Sequence, residues 1–120
     1  MDLTEKQVEL LDRRKIVVLA TSNAVASPRA ILVEVNKAEG EKLVITDNEM
    51  EITRKNILEN KNVFVLAFEE DYSYGLKIEG EVEYCTKGEY FDFVKNLETN
   101  KKFNPKGAIV ITIKNISEFE

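Results

Sequence analysis

The chain has 120 residues, enough for one compact domain spanning 1–120 and too few for two. Apolar residues make up 43% and charged residues 32%, which suits a buried core under a charged surface and excludes global disorder. The net charge of -5 and the interleaving of lysine with glutamate argue against nucleic acid as a partner, while the absence of histidine and the single Cys85 exclude imidazole catalysis, an intrachain disulfide and a thiolate metal cluster.

The opening segment MDLTEKQVELL has no basic region leading into an apolar one, and no apolar run approaches the roughly 20 residues of a membrane helix. A cytoplasmic protein with no membrane partner is expected. Thr4-x-x-Gln7 reads as a capping box, with Leu3 and Val8 placed to close a hydrophobic staple. A helix from about Glu5 to Arg14 follows, with Leu3, Val8 and Leu11 inward.

Ile16 to Thr21 is a short β-branched run and reads as a strand. Asn23 to Pro28 is a turn, and Arg29 to Val35 a second strand. Lys37 to Glu41 reads as a polar hairpin loop, and Leu43 to Thr46 as the third strand. Next comes TDNEMEITRKN, residues 46–56, acidic at its start and ending in a hydroxyl and two cations. Two helix starts are open here. With Asn48 as N-cap and Glu51 three residues into the helix, a capping box forms and Arg54 lies away from the free amides. With a start near Thr53, the free amides converge where a phosphate could sit. The helix runs on to Glu59, and Asn60 to Asn62 end it.

Val63 to Phe68 is apolar throughout, as for a strand buried on both faces. Glu69 to Ser73 turn the chain. Tyr74 to Tyr84 alternates cleanly, with Leu76, Ile78, Gly80, Val82 and Tyr84 on one face and Lys77, Glu79, Glu81 and Glu83 on a wet one. Gly80 marks a bulge or bend. Thr86-x-x-Glu89 suggests a second capping box, and a helix from Lys87 to Glu98 turns Tyr90, Phe91, Val94 and Leu97 inward. Thr99 to Pro105 is a polar loop, and Ala108 to Ile113 the last strand. Six strands with short connections imply a mainly β fold with short helices, closed as a six-stranded antiparallel barrel that leaves no edges.

The phrases VVLATSN and SPRAILVEV, then LVITDNEMEITRKNILENKNVFVLAF, YGLKIEGEVEY and PKGAIVITI, in that order, resemble the FMN-binding split-barrel family, which includes the pyridoxamine-phosphate-oxidase-like proteins and small FMN-binding proteins. The resemblance covers nearly the whole chain. It implies a homodimeric split β-barrel with FMN as cofactor in grooves between the two chains. It places Arg29, Leu32, Val33 and Glu34 at the flavin ring and Thr46, Asp47 and Asn48 along the ribityl chain. Thr53 and Arg54 would meet the phosphate, and Phe103 or Asn104 would reach across from the partner chain. One position departs from the family pattern: Ile52 stands where many relatives have lysine. The implied function is transfer of hydride or electrons through the flavin, with a reduced nicotinamide or a deazaflavin as donor. The alternatives are a non-catalytic flavin or electron carrier, and a flavin-free split-barrel dimer that binds another small ligand or a protein partner. The resemblance names no catalytic residue and no metal.

Overall fold

In six extended segments every second side chain turns to a common interior, and pairing all round removes every free edge. The computed structural model describes residues 1–119. In chain order the elements are α1 (Glu5–Arg14), β1 (Ile16–Ser22), β2 (Pro28–Glu39), β3 (Lys42–Asp47), α2 (Glu51–Glu59), β4 (Asn62–Phe68), β5 (Gly75–Cys85), α3 (Glu89–Lys95) and β6 (Gly107–Phe119), with a 3-10 turn at Glu98–Asn100. The strands close into one antiparallel barrel in the order β1-β2-β3-β6-β5-β4.

The interior is filled by Leu19, Leu43, Ile45, Val65, Leu76, Ile78, Ile109, Ile111 and Ile113, each at most 1% exposed. Leu10 and Leu11 of α1 join this cluster. Thr4 forms the expected capping box: its hydroxyl accepts from the Gln7 amide at 3.2 Å, and the Gln7 side-chain oxygen accepts from the Thr4 amide at 2.9 Å. A second, smaller cluster lies outside the barrel. There α3 lays Val94 over Val44, Ala108 and Val110, with Tyr90, Phe91 and Phe93 around them.

Several boundaries differ from the sequence expectation. The hairpin loop between β2 and β3 is only Gly40-Glu41, because Glu39 still pairs with Lys42. Gly40 takes φ +60°, a left-handed conformation that glycine adopts without a Cβ penalty. No capping box forms at Thr86: Gly88 is the N-cap of α3, at φ 94°, and the helix is a short Glu89–Lys95. Leu97 falls outside it. In β4 only Val63, Val65 and Ala67 are fully buried, while Phe64, Leu66 and Phe68 on the other face are half-buried.

Two register shifts bend the barrel. Between β5 and β6, Glu79 pairs with Asn115 and Gly80 with Ile113, leaving Lys114 unpaired. A Cβ on Gly80 would meet Ile111 Cγ2 at 2.5 Å and the Thr112 carbonyl at 2.8 Å, so this crossing admits only glycine. Between β2 and β3, Val35 pairs with Ile45 and Lys37 with Val44, which leaves Asn36 as the extra residue of a bulge.

Candidate functional site

On the outer side of β2 and β3, beside the Asn36 bulge, lies a cavity of about 250 Å³ lined by Leu32, Val33, Glu34, Asn36, Thr46, Asn48, Glu49, Met50 and Asn100. It gathers five sequence-expected residues: Leu32, Val33, Glu34, Thr46 and Asn48. Asn36 and Asn100 were not expected. Asn36 sits in a bulge that alternation cannot reveal, and Asn100 lies in a segment that reads as a polar loop.

Asn100, 5% exposed, organises the polar wall. Its Nδ2 donates to the Val94 carbonyl at 2.9 Å and to Thr46 Oγ1 at 2.8 Å, and its Oδ1 accepts from Asn48 Nδ2 at 3.2 Å. Thr46 Oγ1 in turn donates to Asn36 Oδ1 at 2.6 Å. Asn48 Oδ1 is buried without a hydrogen-bond partner among the described residues.

Between Thr46 and Asn48 the chain turns Asp47 inward, where it is fully buried. Its Oδ1 accepts from the Met50 backbone amide at 2.7 Å. Its Oδ2 accepts from the Tyr84 hydroxyl at 2.6 Å and from Arg54 Nη1 at 3.1 Å. Each carboxylate oxygen therefore has a protein partner, and the side chain faces these groups rather than the outer cavity. A Cβ on Gly107 would come within 2.5 Å of Tyr84 Cζ, so glycine there lets the phenol lie across to Asp47.

The helix start lies between the two expected positions. α2 begins at Glu51 with Met50 as N-cap, and Met50 makes no side-chain cap bond. Asp47, one turn upstream, caps the Met50 amide instead. Thr53 is then three residues into the helix and 2% exposed. The Arg54 side chain is 28% exposed; its Nη1 donates to Asp47, and the Tyr84 hydroxyl also lies against the guanidinium. Ile52 is 53% exposed, and Lys55 is also exposed.

The remaining expected residues lie apart from the cavity. Arg29 is exposed at the start of β2, opposite Thr21. Phe103 and Asn104 are exposed in the loop before β6, with Asn104 at φ 56°. A larger cavity of about 600 Å³ lies between the β2–β3 hairpin and α3. Its cations are already engaged: Lys42 bonds the Thr112 hydroxyl, and Lys37 sits beside Glu39 and 5.2 Å from the Phe93 ring centre. It has no unsatisfied group comparable to Asn48 Oδ1. Among the described residues no group of three or more His, Cys, Asp or Glu could hold a metal, and no helix is long and apolar enough to cross a membrane.

Burial, and then its bond to Asp47, push the Tyr84 phenol up to about 12. In the unfolded chain it titrates at about 10. The raised value means that its contribution to stability is complete below about pH 10 and is lost as pH rises through about 12. Tyr74, also raised mainly by burial, acts in the same direction. Tyr84→Phe is therefore expected to flatten, without abolishing, the loss of stability between about pH 10 and 12, read from urea denaturation at each pH. An unchanged slope would show that Tyr84 ionises freely in the folded protein.

Comparison with known proteins gives a consistent picture. A family model described as pyridoxamine 5'-phosphate oxidase matches residues 3–119. An uncharacterized protein of Methanocaldococcus jannaschii is 38% identical over 122 aligned residues, spanning 95% of this chain and 78% of that protein. The crystal structure of HupZ from Group A Streptococcus superposes with a TM-score of 0.88 at 19% identity, covering 98% of this chain and 94% of that one. An FMN-binding protein from Syntrophomonas wolfei superposes with a TM-score of 0.81 at 19% identity, covering 97% and 85%. At these identities the two structures establish the shared fold.

Proposed function

The chain belongs to the pyridoxamine 5'-phosphate oxidase family, and on that premise we propose that it is a cytoplasmic homodimeric flavoprotein that binds FMN and passes hydride or electrons through it. The observation that carries this reading is the pairing of two features in residues 46–54. A hydrogen-bonded wall around Thr46 and Asn48 borders an outer cavity, and a partly exposed guanidinium is anchored one turn into the following helix.

The donor set suits such a ligand. Asn36, held by Thr46 and Asn100, offers a neutral amide for a ring edge or ribityl hydroxyls, and the exposed part of the Arg54 fork suits a phosphate. Arg29, Thr53, Phe103 and Asn104 belong to this proposal by family resemblance, with the last two acting on the partner's site. When bound, FMN supplies the redox chemistry, and the chain's part is to bind it, orient it and shield it from water. The titratable groups lining the cavity, Glu34 and Glu49, are both exposed. That suits a protein whose redox step needs no buried acid or base.

Dimerisation is supported by an apolar outer surface. Val18 pairs with Leu32 on one side and Leu66 on the other, and Ala20 likewise joins Ala30 and Phe64. Leu32 is 72% exposed and Ile16 52% in the isolated chain. A continuous apolar face beside the cavity is suited to covering by a second copy.

The test is a titration with FMN. The reading expects quenched flavin fluorescence and a structured visible spectrum at micromolar protein, with sedimentation at twice the 13.7 kDa chain mass. Absence of quenching would favour the flavin-free alternative, which the exposed Ile52 and the neighbouring Glu49 and Glu51 support. Oxidation of a reduced nicotinamide or a deazaflavin by the loaded protein separates an enzyme from a carrier.

A further inference from the structure

Asn36 is the extra residue of the β2 bulge, and the bonds around it determine which way its amide faces. A backbone carbonyl can only accept, so the Asn100 atom on the Val94 carbonyl at 2.9 Å is the nitrogen Nδ2. The second hydrogen of that nitrogen goes to Thr46 Oγ1 at 2.8 Å. Thr46 is 7% exposed, and its one hydroxyl hydrogen is best placed on Asn36, 2.6 Å away, whose facing atom must then be the oxygen Oδ1. This leaves Asn36 Nδ2 on the cavity wall with both hydrogens unbonded among the described residues. A solvated asparagine amide can present either end. This one is oriented before any ligand arrives, which lowers the cost of using it.

We propose that Asn36 is a specificity residue of the flavin site, donating from Nδ2 to an acceptor atom of the isoalloxazine ring, with Thr46 and Asn100 as positioning residues that fix the direction of the amide. The inference rests on the flavin reading above. It distinguishes a ring contact from a ribityl or phosphate contact.

The probes are FMN and riboflavin, which share the ring and the ribityl chain and differ in the phosphate, with lumiflavin, the ring without ribityl hydroxyls, as a third; all are titrated by fluorescence quenching. Asn36→Asp keeps an oxygen to accept from Thr46 and replaces the donor with an acceptor. It is expected to weaken FMN and riboflavin by about tenfold or more and by a similar factor, and lumiflavin likewise. Asn36→Ala, which adds no charge, is expected to act in the same direction and serves if the aspartate variant unfolds. Thr46→Val should also weaken both ligands, while Thr46→Ser, which keeps the hydroxyl, should restore affinity; failure of the serine to restore it would overturn the positioning role. Equal FMN affinity for wild type and both Asn36 variants overturns the inference and leaves the flavin reading standing. A loss confined to FMN, or one that spares lumiflavin, also overturns it, because the contact would then be to the phosphate or to the ribityl chain. If wild type binds neither flavin, the flavin reading fails and the inference fails with it.

Discussion

Asp47→Ala is expected to lower the free energy of unfolding by about 3 kcal/mol, measured by urea denaturation. The carboxylate is fully buried and accepts from a backbone amide, a phenol and a guanidinium. Removing it leaves the Met50 amide without its cap, which alone costs about 1 kcal/mol, and strands the half-buried Tyr84 hydroxyl. Arg54, 28% exposed, can turn to water, so its share falls short of a fully buried pair and the total lies at the low end of the range for breaking one. Asp47→Asn should cost less. It keeps an oxygen for Met50, and Tyr84 can accept from the new amide, but the bond from Arg54 is lost. A loss under about 1 kcal/mol for the alanine variant would show that Asp47 does not hold the start of α2.

Arg54→Gln is expected to weaken FMN binding by about thirtyfold to a hundredfold and to leave riboflavin binding almost unchanged. The difference between the two ligands isolates the phosphate. Arg54 has one donor on Asp47 and a remaining fork that is partly exposed, which suits a bidentate approach to a phosphate oxygen pair. The same anchor restricts the side chain, so less rotamer freedom is lost on binding. Glutamine retains length and polarity, which keeps loss of the fold from being mistaken for loss of the ligand. An equal fall for riboflavin would mean that Arg54 acts through the fold or the ring. No fall for either would move the phosphate elsewhere on the chain.

The barrel was legible because the alternation from Leu76 to Tyr84 marks a strand with one wet face and the short β-branched apolar runs of β1, β3 and β6 mark strands whatever their partners. Resemblance in the order of these phrases pointed to the family. The helix start after β3 was not legible. Met50 is an unpromising N-cap, and its amide is satisfied by Asp47, a residue that local capping rules do not reach. The capping box at Thr86 failed for a related reason, since the chain passes through Gly88 at φ 94° and starts α3 only at Glu89. In the site, Thr46 and Asn48 could be placed from the resemblance. Asn100 could not, because an asparagine in a polar loop reads as a turn former, and its role comes from lying under α3 against β3.

The bulge in β2 gives Asn36 an unusual standing in the chain. Val35 faces inward opposite Ile45, and Ala38 faces inward opposite Leu43; between them, two residues of β2 oppose Val44 alone. Counting without Asn36, the inside-outside alternation from Val33 to Glu39 is unbroken. The residue is therefore supernumerary: the barrel could lose it by a one-codon deletion and keep every core side chain on its present face. Asp47 has the opposite character, since anchoring the helix and supporting the arginine are duties of one carboxylate. The side chain at position 36 can thus be exchanged or removed without a new core.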